Sequence, residues 1–97
     1  MMSDGAHERI VRGMRRSLLV RYLEDLGGTA VTESAGLALT PDEDFAVGDG
    51  WQARLSQLED YRIGALSSEQ VRIEVTGDPD EVRGMLSRLA PRLSRHG

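Results

Sequence analysis

The segment Leu18–Thr29, Leu-Leu-Val-Arg-Tyr-Leu-Glu-Asp-Leu-Gly-Gly-Thr, decides the fold of this chain. Its apolar residues recur at helical spacing and form one stripe, made of Leu18, Leu19, Tyr22, Leu23 and Leu26. Gly27 and Gly28 then end the helix, because glycine adopts the left-handed conformation that closes a last turn. Ser17 is the candidate N-terminal cap. The segment therefore predicts a core helix that carries no catalytic chemistry.

The residues after this helix predict short strands and one loop. Residues 29–33 and 36–40 are predicted strands, and residues 34–36 form the hairpin turn between them. Residues 41–50 hold two clusters of turn-forming residues and predict a loop.

Regular alternation of apolar and polar residues begins at Trp51 and predicts a half-buried strand. Residues 61–63 predict a second strand, with a turn at Glu59 and Asp60. Residues 70–76 give the clearest strand pattern, since every second side chain is Val or Ile.

A second helix is predicted after Gly77. Asp78 can cap it and Pro79 suits its first position. Pro91 lies inside the apolar stripe, so the helix either kinks there or ends near Ala90. The stripe consists of Val82, Met85, Leu86, Leu89 and Leu93.

The start of the chain is less regular. Residues 1–6 are small and polar and predict a disordered start. Residues 7–12 fit either a strand or the first turns of a helix. Residues 7–97 are expected to form a single α+β domain, with an antiparallel sheet and both helices packed on one face.

Composition limits the function. The 97 residues include no cysteine, which excludes disulfides and thiolate sites. No apolar run is long enough to span a membrane, so a soluble cytoplasmic protein is expected. The net charge of −4 argues against general nucleic-acid binding. All twelve basic residues are arginines, and they predict a candidate basic face composed of Arg9, Arg12, Arg15, Arg16, Arg88 and Arg92.

No catalytic, cofactor-binding or metal-binding residue stands out. His7 and His96 lie at opposite ends of the chain, which is not a metal-ligand spacing. The acidic cluster at residues 42–44 lacks the ligand spacing of a calcium loop. Ser67 and Ser68 have no His or Lys near them in sequence that would activate a hydroxyl. We therefore expect a protein that is not an enzyme and that uses no cofactor.

Two segments resemble a known family. They are residues 18–29, quoted above, and residues 64–77, Gly-Ala-Leu-Ser-Ser-Glu-Gln-Val-Arg-Ile-Glu-Val-Thr-Gly. Both are similar to the C-terminal domain of MoaD-related proteins of thermophilic bacteria, where it follows a ubiquitin-like domain similar to the sulfur-carrying subunit of molybdopterin synthase. The resemblance implies a TBP-like β-α-β4-α fold with a curved antiparallel sheet, which makes residues 7–12 the first strand.

The resemblance carries no functional residue over to this chain. The sequence holds no ubiquitin-like segment and closes on Arg95-His96-Gly97, so no Gly-Gly carrier tail is expected. Gly27 and Gly28 are internal and cannot form one. The TBP-like name describes geometry and does not imply DNA binding.

Three hypotheses follow for the function. The first is a protein-interaction module associated with molybdenum-cofactor or sulfur-carrier proteins, which binds another protein or a second copy of itself. The second is a small-ligand domain that uses the concave sheet face, with a pocket lined by Leu39, Trp51 and Tyr61. The third is a phosphate or nucleic-acid contact through the arginine-rich ends.

Overall fold

The computed structural model describes residues 6–31 and 41–94, which form five strands and two helices. The predicted strand at 36–40, its turn at 34–36, most of the disordered start, Leu39 and His96 lie outside the described residues. The elements are β1 (His7–Arg12), α1 (Arg16–Asp25), β2 (Thr29–Val31), β3 (Glu43–Val47), β4 (Trp51–Ile63), β5 (Leu66–Gly77) and α2 (Pro79–Ser94). The α+β class and the β-α-β4-α order are confirmed, and residues 7–12 form a strand.

The five strands make one antiparallel sheet in the order β1-β5-β4-β3-β2. β1 and β2 are the two edges, so α1, which connects them, must cross the sheet. α1 contacts β2 and β3, whereas α2 contacts β5 and β4. Both helices therefore cover the same face, and the opposite face, which we call the helix-free face, carries no helix from residues 6–31 and 41–94.

The core lies between the helices and the covered face of the sheet, and every buried side chain among the described residues is apolar. Alternation along the strands supplies one half of it and the helical stripes supply the other. The strands contribute Val11, Ala46, Trp51, Ala53, Leu55, Val71, Ile73 and Val75, and the helices contribute Leu19, Leu23, Val82, Met85, Leu89 and Leu93.

The end of α1 has the predicted glycine geometry. Gly27 has a φ of 99°, and its N–H donates to the carbonyl of Glu24 at 3.0 Å. The N–H of Gly28 donates to the carbonyl of Leu23 at 2.9 Å. These two bonds form a Schellman motif, which satisfies carbonyls that the helix end leaves without intrahelical donors.

The predicted cap of α1 is wrong. The helix already begins at Arg16, so Ser17 lies within it and Arg15 takes the capping position in an extended conformation. Arg15 makes no side-chain capping bond. Side chains that pack and bond further along the helix, rather than a capping hydroxyl, therefore fix its start.

The start of α2 follows the prediction, because the Asp78 carboxylate accepts a bond from the Glu81 N–H at 3.2 Å. Pro91 lies inside the helix, which continues to Ser94 and does not end near Ala90. Leu93 is buried beyond the proline, so packing against the sheet stabilises the last turn.

Residues 41–50 are only partly a loop, because β3 occupies the middle of the range. Within β3 the Ala46 side chain alone is fully buried, opposite Ala53 of β4. A single small buried residue among acidic residues gives only a weak alternation of apolar and polar side chains. Because turn-forming residues lie on both sides of it, the sequence predicted a loop here and not a strand.

The predicted turn at Glu59 and Asp60 is also wrong. β4 continues through both residues to Ile63, and the register shifts between Leu58 and Tyr61. Two residues of β4 there oppose a single residue of β5, which is the pattern of a β-bulge. The Gln70 side-chain amide donates to the carbonyl of Glu59 at 2.9 Å and so satisfies a group that the bulge removes from the ladder.

The true hairpin turn lies at residues 64–65. Gly64 has a φ of 59°, and Ile63 pairs with Leu66 across the turn. A positive φ at the first central residue is typical of two-residue hairpin turns with glycine in that position.

The indole of Trp51 packs against the backbone of two glycines. A Cβ built at Gly28 would lie 2.7 Å from Trp51 Cη2, and a Cβ built at Gly48 would overlap the ring. Trp51 is only 4% exposed, so the ring has little room to move. The glycines thus bring the end of α1 and the end of β3 onto one side chain.

We predict that Gly48→Ala lowers the free energy of unfolding by about 1–3 kcal/mol, because the added methyl overpacks a buried ring. Gly84→Ala is the matched control. Gly84 is an exposed position inside α2 with open space around a built Cβ, so alanine there should raise the free energy of unfolding by about 0.5–1 kcal/mol. Urea unfolding measures both, and equal effects would contradict the proposed packing of Trp51.

Candidate protein interface

The helix-free face of the sheet carries the exposed apolar residues of the described chain. The large hydrophobic side chains that are exposed are Ile10, Val47, Tyr61, Ile63 and Leu66. Side chains alternate along each strand and paired residues share a face, so the register puts all of them on the face opposite the buried residues. Ile63 and Leu66 are the most exposed, at 59% and 76%.

Ile63 and Leu66 lie on a projecting arm, which we define as residues 59–68. β1 pairs with β5 at residues 70–75, and β3 pairs with β4 at residues 52–56. The arm is therefore a two-stranded ribbon that extends beyond the strand pairing of both neighbours. Residues 59–67 are all exposed, so neither helix covers the ribbon.

The bulge decides which way the arm presents its apolar side chains. Before the bulge, even-numbered residues of β4 point to the helix-free face, and after it the odd-numbered residues do. Tyr61 and Ile63 therefore share a face with Leu66. Without the extra residue, both side chains would point to the opposite side of the ribbon.

A contact at the base of the arm holds Tyr61 in place. The Arg12 guanidinium carbon lies 4.0 Å from the centre of the Tyr61 ring, within cation–π distance. Arg12 Nε also donates to Gln70 Oε1 at 2.9 Å. The arginine thus ties β1 to the base of the arm.

The middle of the helix-free face is more polar than the arm. Arg54 and Glu43 form an ion pair at 3.3 Å, and Arg72 and Glu8 lie 4.0 Å apart. These cross-strand pairs bring opposite charges together across the sheet. The arm, in contrast, ends in apolar residues with no charged side chain between Ile63 and Leu66.

Two residues of the predicted pocket, Trp51 and Tyr61, do not come together. Trp51 is buried at one end of β4, and Tyr61 is 36% exposed near the other end. At strand spacing, ten residues separate them by about 30 Å. Leu39 lies outside the described residues.

The predicted basic face is divided among several surfaces. Arg9 and Arg12 are three residues apart on β1, so their side chains point to opposite faces of the sheet. Arg15 is exposed ahead of α1. Arg88 and Arg92 are four residues apart on α2, and Arg92 lies 5.9 Å from the Tyr22 ring of α1.

Arg16 belongs to a structural network. Its Nε donates to Asp44 at 2.7 Å, and its terminal nitrogens donate to the backbone carbonyls of Asp42 at 2.8 Å and Pro41 at 3.0 Å. One terminal nitrogen also lies 3.3 Å from the Gln57 side-chain oxygen. This arginine therefore joins the start of α1 to the segment that enters β3.

A groove lies between β1 and α2 on the helix-covered face. Its cavity volume is about 420 Å³. Ile73, Leu86 and Leu93 are among its apolar lining residues, and the cationic side chains of Arg9 and Arg83 also line it. Sequence reasoning did not find it, because its walls come from opposite ends of the chain.

The described residues hold no group of three or more metal-ligating side chains. Within the acidic cluster predicted from sequence, Asp44 pairs with Arg16 and Glu43 pairs with Arg54.

No helix in the described ranges has the length and apolar character needed to cross a membrane.

These features define a small α+β domain with an open antiparallel sheet, two helices on one face and an apolar arm. The model of a family described as archaeal MoaD-like protein matches residues 7–97, so the chain belongs to that family. The resemblance to MoaD-related proteins is confirmed. No curated protein matches the chain.

We predict that Arg16→Ala lowers the free energy of unfolding by about 1–2 kcal/mol, since it removes several bonds to a charged donor. Arg15→Ala, one residue away at an exposed position, should change it by less than about 0.5 kcal/mol. Arg16→Lys should not restore stability, because an ammonium lacks the planar donor fork. Chemical unfolding of the three variants measures this, and equal stability of all three would contradict the role of Arg16.

Proposed function

We propose that this chain is a non-enzymatic protein-interaction module that acts with sulfur-carrier proteins of molybdenum-cofactor chemistry. The observation that carries the proposal is the arm with its exposed Ile63 and Leu66. Family membership supports the choice of partner, and the arm supports the mode of binding.

The arm has the properties of a docking element. An isolated two-stranded ribbon is marginally stable in water, and exposed apolar side chains at its tip lower the solubility of the protein. A partner that covers the tip therefore stabilises the ribbon and removes the exposed apolar surface. The arm and the residue that follows it carry the acidic side chains Glu59, Asp60 and Glu69 and the basic Arg62. By the alternation of side chains, Arg62 and Glu69 lie on the ribbon face opposite Ile63, so the complementary surface is an apolar patch.

The absence of an enzymatic role is part of the same proposal. Catalysis requires acids, bases or nucleophiles held in position, usually in a cleft. In the described residues no charged or polar side chain is buried, and no cluster of metal-ligating groups is present. These observations favour a surface that binds over a site that reacts.

We predict that the ubiquitin-like sulfur carrier from the same genome binds the arm. Titration of the ¹⁵N-labelled chain with the carrier should shift the amide resonances of residues 61–68. Ile63→Asp should weaken binding about tenfold or more, because a charge at a hot-spot position loses apolar burial and adds a desolvation cost.

Val47→Asp is the matched control, since Val47 is an exposed β-branched residue on the same face but outside the arm. It should change the affinity less than about twofold. Shifts that cluster away from residues 61–68 would show that the arm is not the binding site. The absence of shifts at several hundred micromolar carrier would show that the carrier is not the partner.

A second candidate function is the binding of a small anion with an apolar body, and the groove between β1 and α2 favours it. Its volume of about 420 Å³ lies within the range of small-molecule sites, about 300–1,000 Å³. Arg9 and Arg83 supply two positive charges beside the apolar floor, against one negative charge from Glu8.

We predict that a sulfonated naphthalene dye binds this groove and gains fluorescence there. Arg83→Glu should reduce its affinity about fivefold or more, because the substitution turns attraction into repulsion at the groove. Arg62→Glu, an equal charge change on the arm, should leave the affinity unchanged. Equal effects of the two variants would show non-specific dye binding and would reject the groove.

A further inference from the structure

β1 lies at an edge of the sheet and pairs only with β5. Along its other side, its backbone N–H and C=O groups have no strand partner in the part of the chain that the structure describes. Such an edge can pair with a further strand, and the side chains on it determine which strands fit.

A hydrogen bond just after β1 reveals which residues point to the free edge. The Gly13 N–H donates to the Glu69 carbonyl at 2.9 Å, so position 13 faces β5. Backbone groups of successive residues alternate between the two sides of an antiparallel strand. Those of Glu8, Ile10 and Arg12 therefore point outward, and their side chains lie on the helix-free face.

One antiparallel register of two β1 strands pairs all three outward residues. It sets Ile10 opposite Ile10 of a second copy, and it sets Glu8 opposite Arg12 at both ends. Opposite charges directly across a ladder stabilise the pairing. If the register shifts by two residues in either direction, Glu8 no longer lies opposite Arg12. One of the three outward residues then lies opposite a residue outside this set.

We propose that two copies of this chain pair through β1 in this register and join their five-stranded sheets into one. The pairing adds about six backbone hydrogen bonds and covers the half-exposed Ile10 side chains with each other. In the single chain the Arg12 guanidinium lies over Tyr61 and Glu8 lies 4.0 Å from Arg72, so both side chains turn from these partners toward each other when the two strands pair. The inference is independent of the proposed function of the arm.

The contact is small. β1 has six residues, and a strand of that length covers far less than the roughly 1,200 Å² of total area that stable interfaces bury. The dimer is therefore weak and reversible. Sedimentation velocity on the full chain between about 10 µM and 1 mM covers the range in which such a dimer forms.

Charge reversal tests the register. Glu8→Arg alone and Arg12→Glu alone each place like charges opposite each other, and each should weaken self-association about tenfold or more. An equimolar mixture of the two variants should form a heterodimer about as stable as the wild-type dimer, because every facing pair is then of opposite charge.

Proline tests the backbone pairing. Ile10→Pro removes an N–H that points to the free edge, which an edge strand tolerates, so the variant should stay folded and monomeric. Leu66→Ser, on the arm, should dimerise like the wild type. Circular dichroism verifies the fold of each variant.

Three results would overturn the proposal. They are a wild-type chain that stays monomeric at 1 mM, an association that persists in folded Ile10→Pro, and charge-reversed variants that fail to complement each other. Concentration-dependent protection of the amides of Glu8, Ile10 and Arg12 from hydrogen exchange, with Arg9 and Val11 protected at every concentration, would support it.

Discussion

The structure depends on the contact between the Trp51 indole and the backbone at Gly28 and Gly48. Gly28 follows α1, Gly48 follows β3 and Trp51 begins β4, so two connections, α1 to β2 and β3 to β4, meet on one buried ring. A side chain at either glycine would displace the ring, which explains why small residues are needed at both points. Once this junction is fixed, Ala46 and Ala53 pack beneath the helices with no exposed surface.

The junction fixes one end of the hairpin formed by β4 and β5, and the other end of this hairpin is free. β4 and β5 run on from Trp51 and Gly77 well past the strands that flank them, because β1 and β3 are short. The bulge at Glu59 and Asp60 then turns the apolar side chains of the overhang to the helix-free face. The short flanking strands thus create the arm, and the bulge determines which of its side chains lie on the helix-free face.

The sequence predicted the parts of the fold that rest on clear periodicity. The stripes of both helices, the glycine stop at Gly27 and the alternation of residues 70–76 all appear as expected. β3 was missed because a single alanine is its only buried side chain. The bulge was interpreted as a turn because two adjacent acids are typical of turns, and only the pairing partner on β5 reveals the extra residue. The arm had one local signal, a glycine between apolar residues at 63 and 66.

The two proposed surfaces occupy different parts of the helix-free face and share one residue, Arg12, which lies over Tyr61 in the single chain. In the proposed dimer, the antiparallel register sets the Arg12 end of one β1 beside the Glu8 end of the other. The arm lies beyond the Arg12 end, since Gly13 bonds Glu69, so the two arms project from opposite ends of the joined sheet. In this arrangement a single small partner cannot span both arms, so the two proposals together place one partner on each arm. A partner that is itself multimeric gains affinity from the second contact without any new interaction.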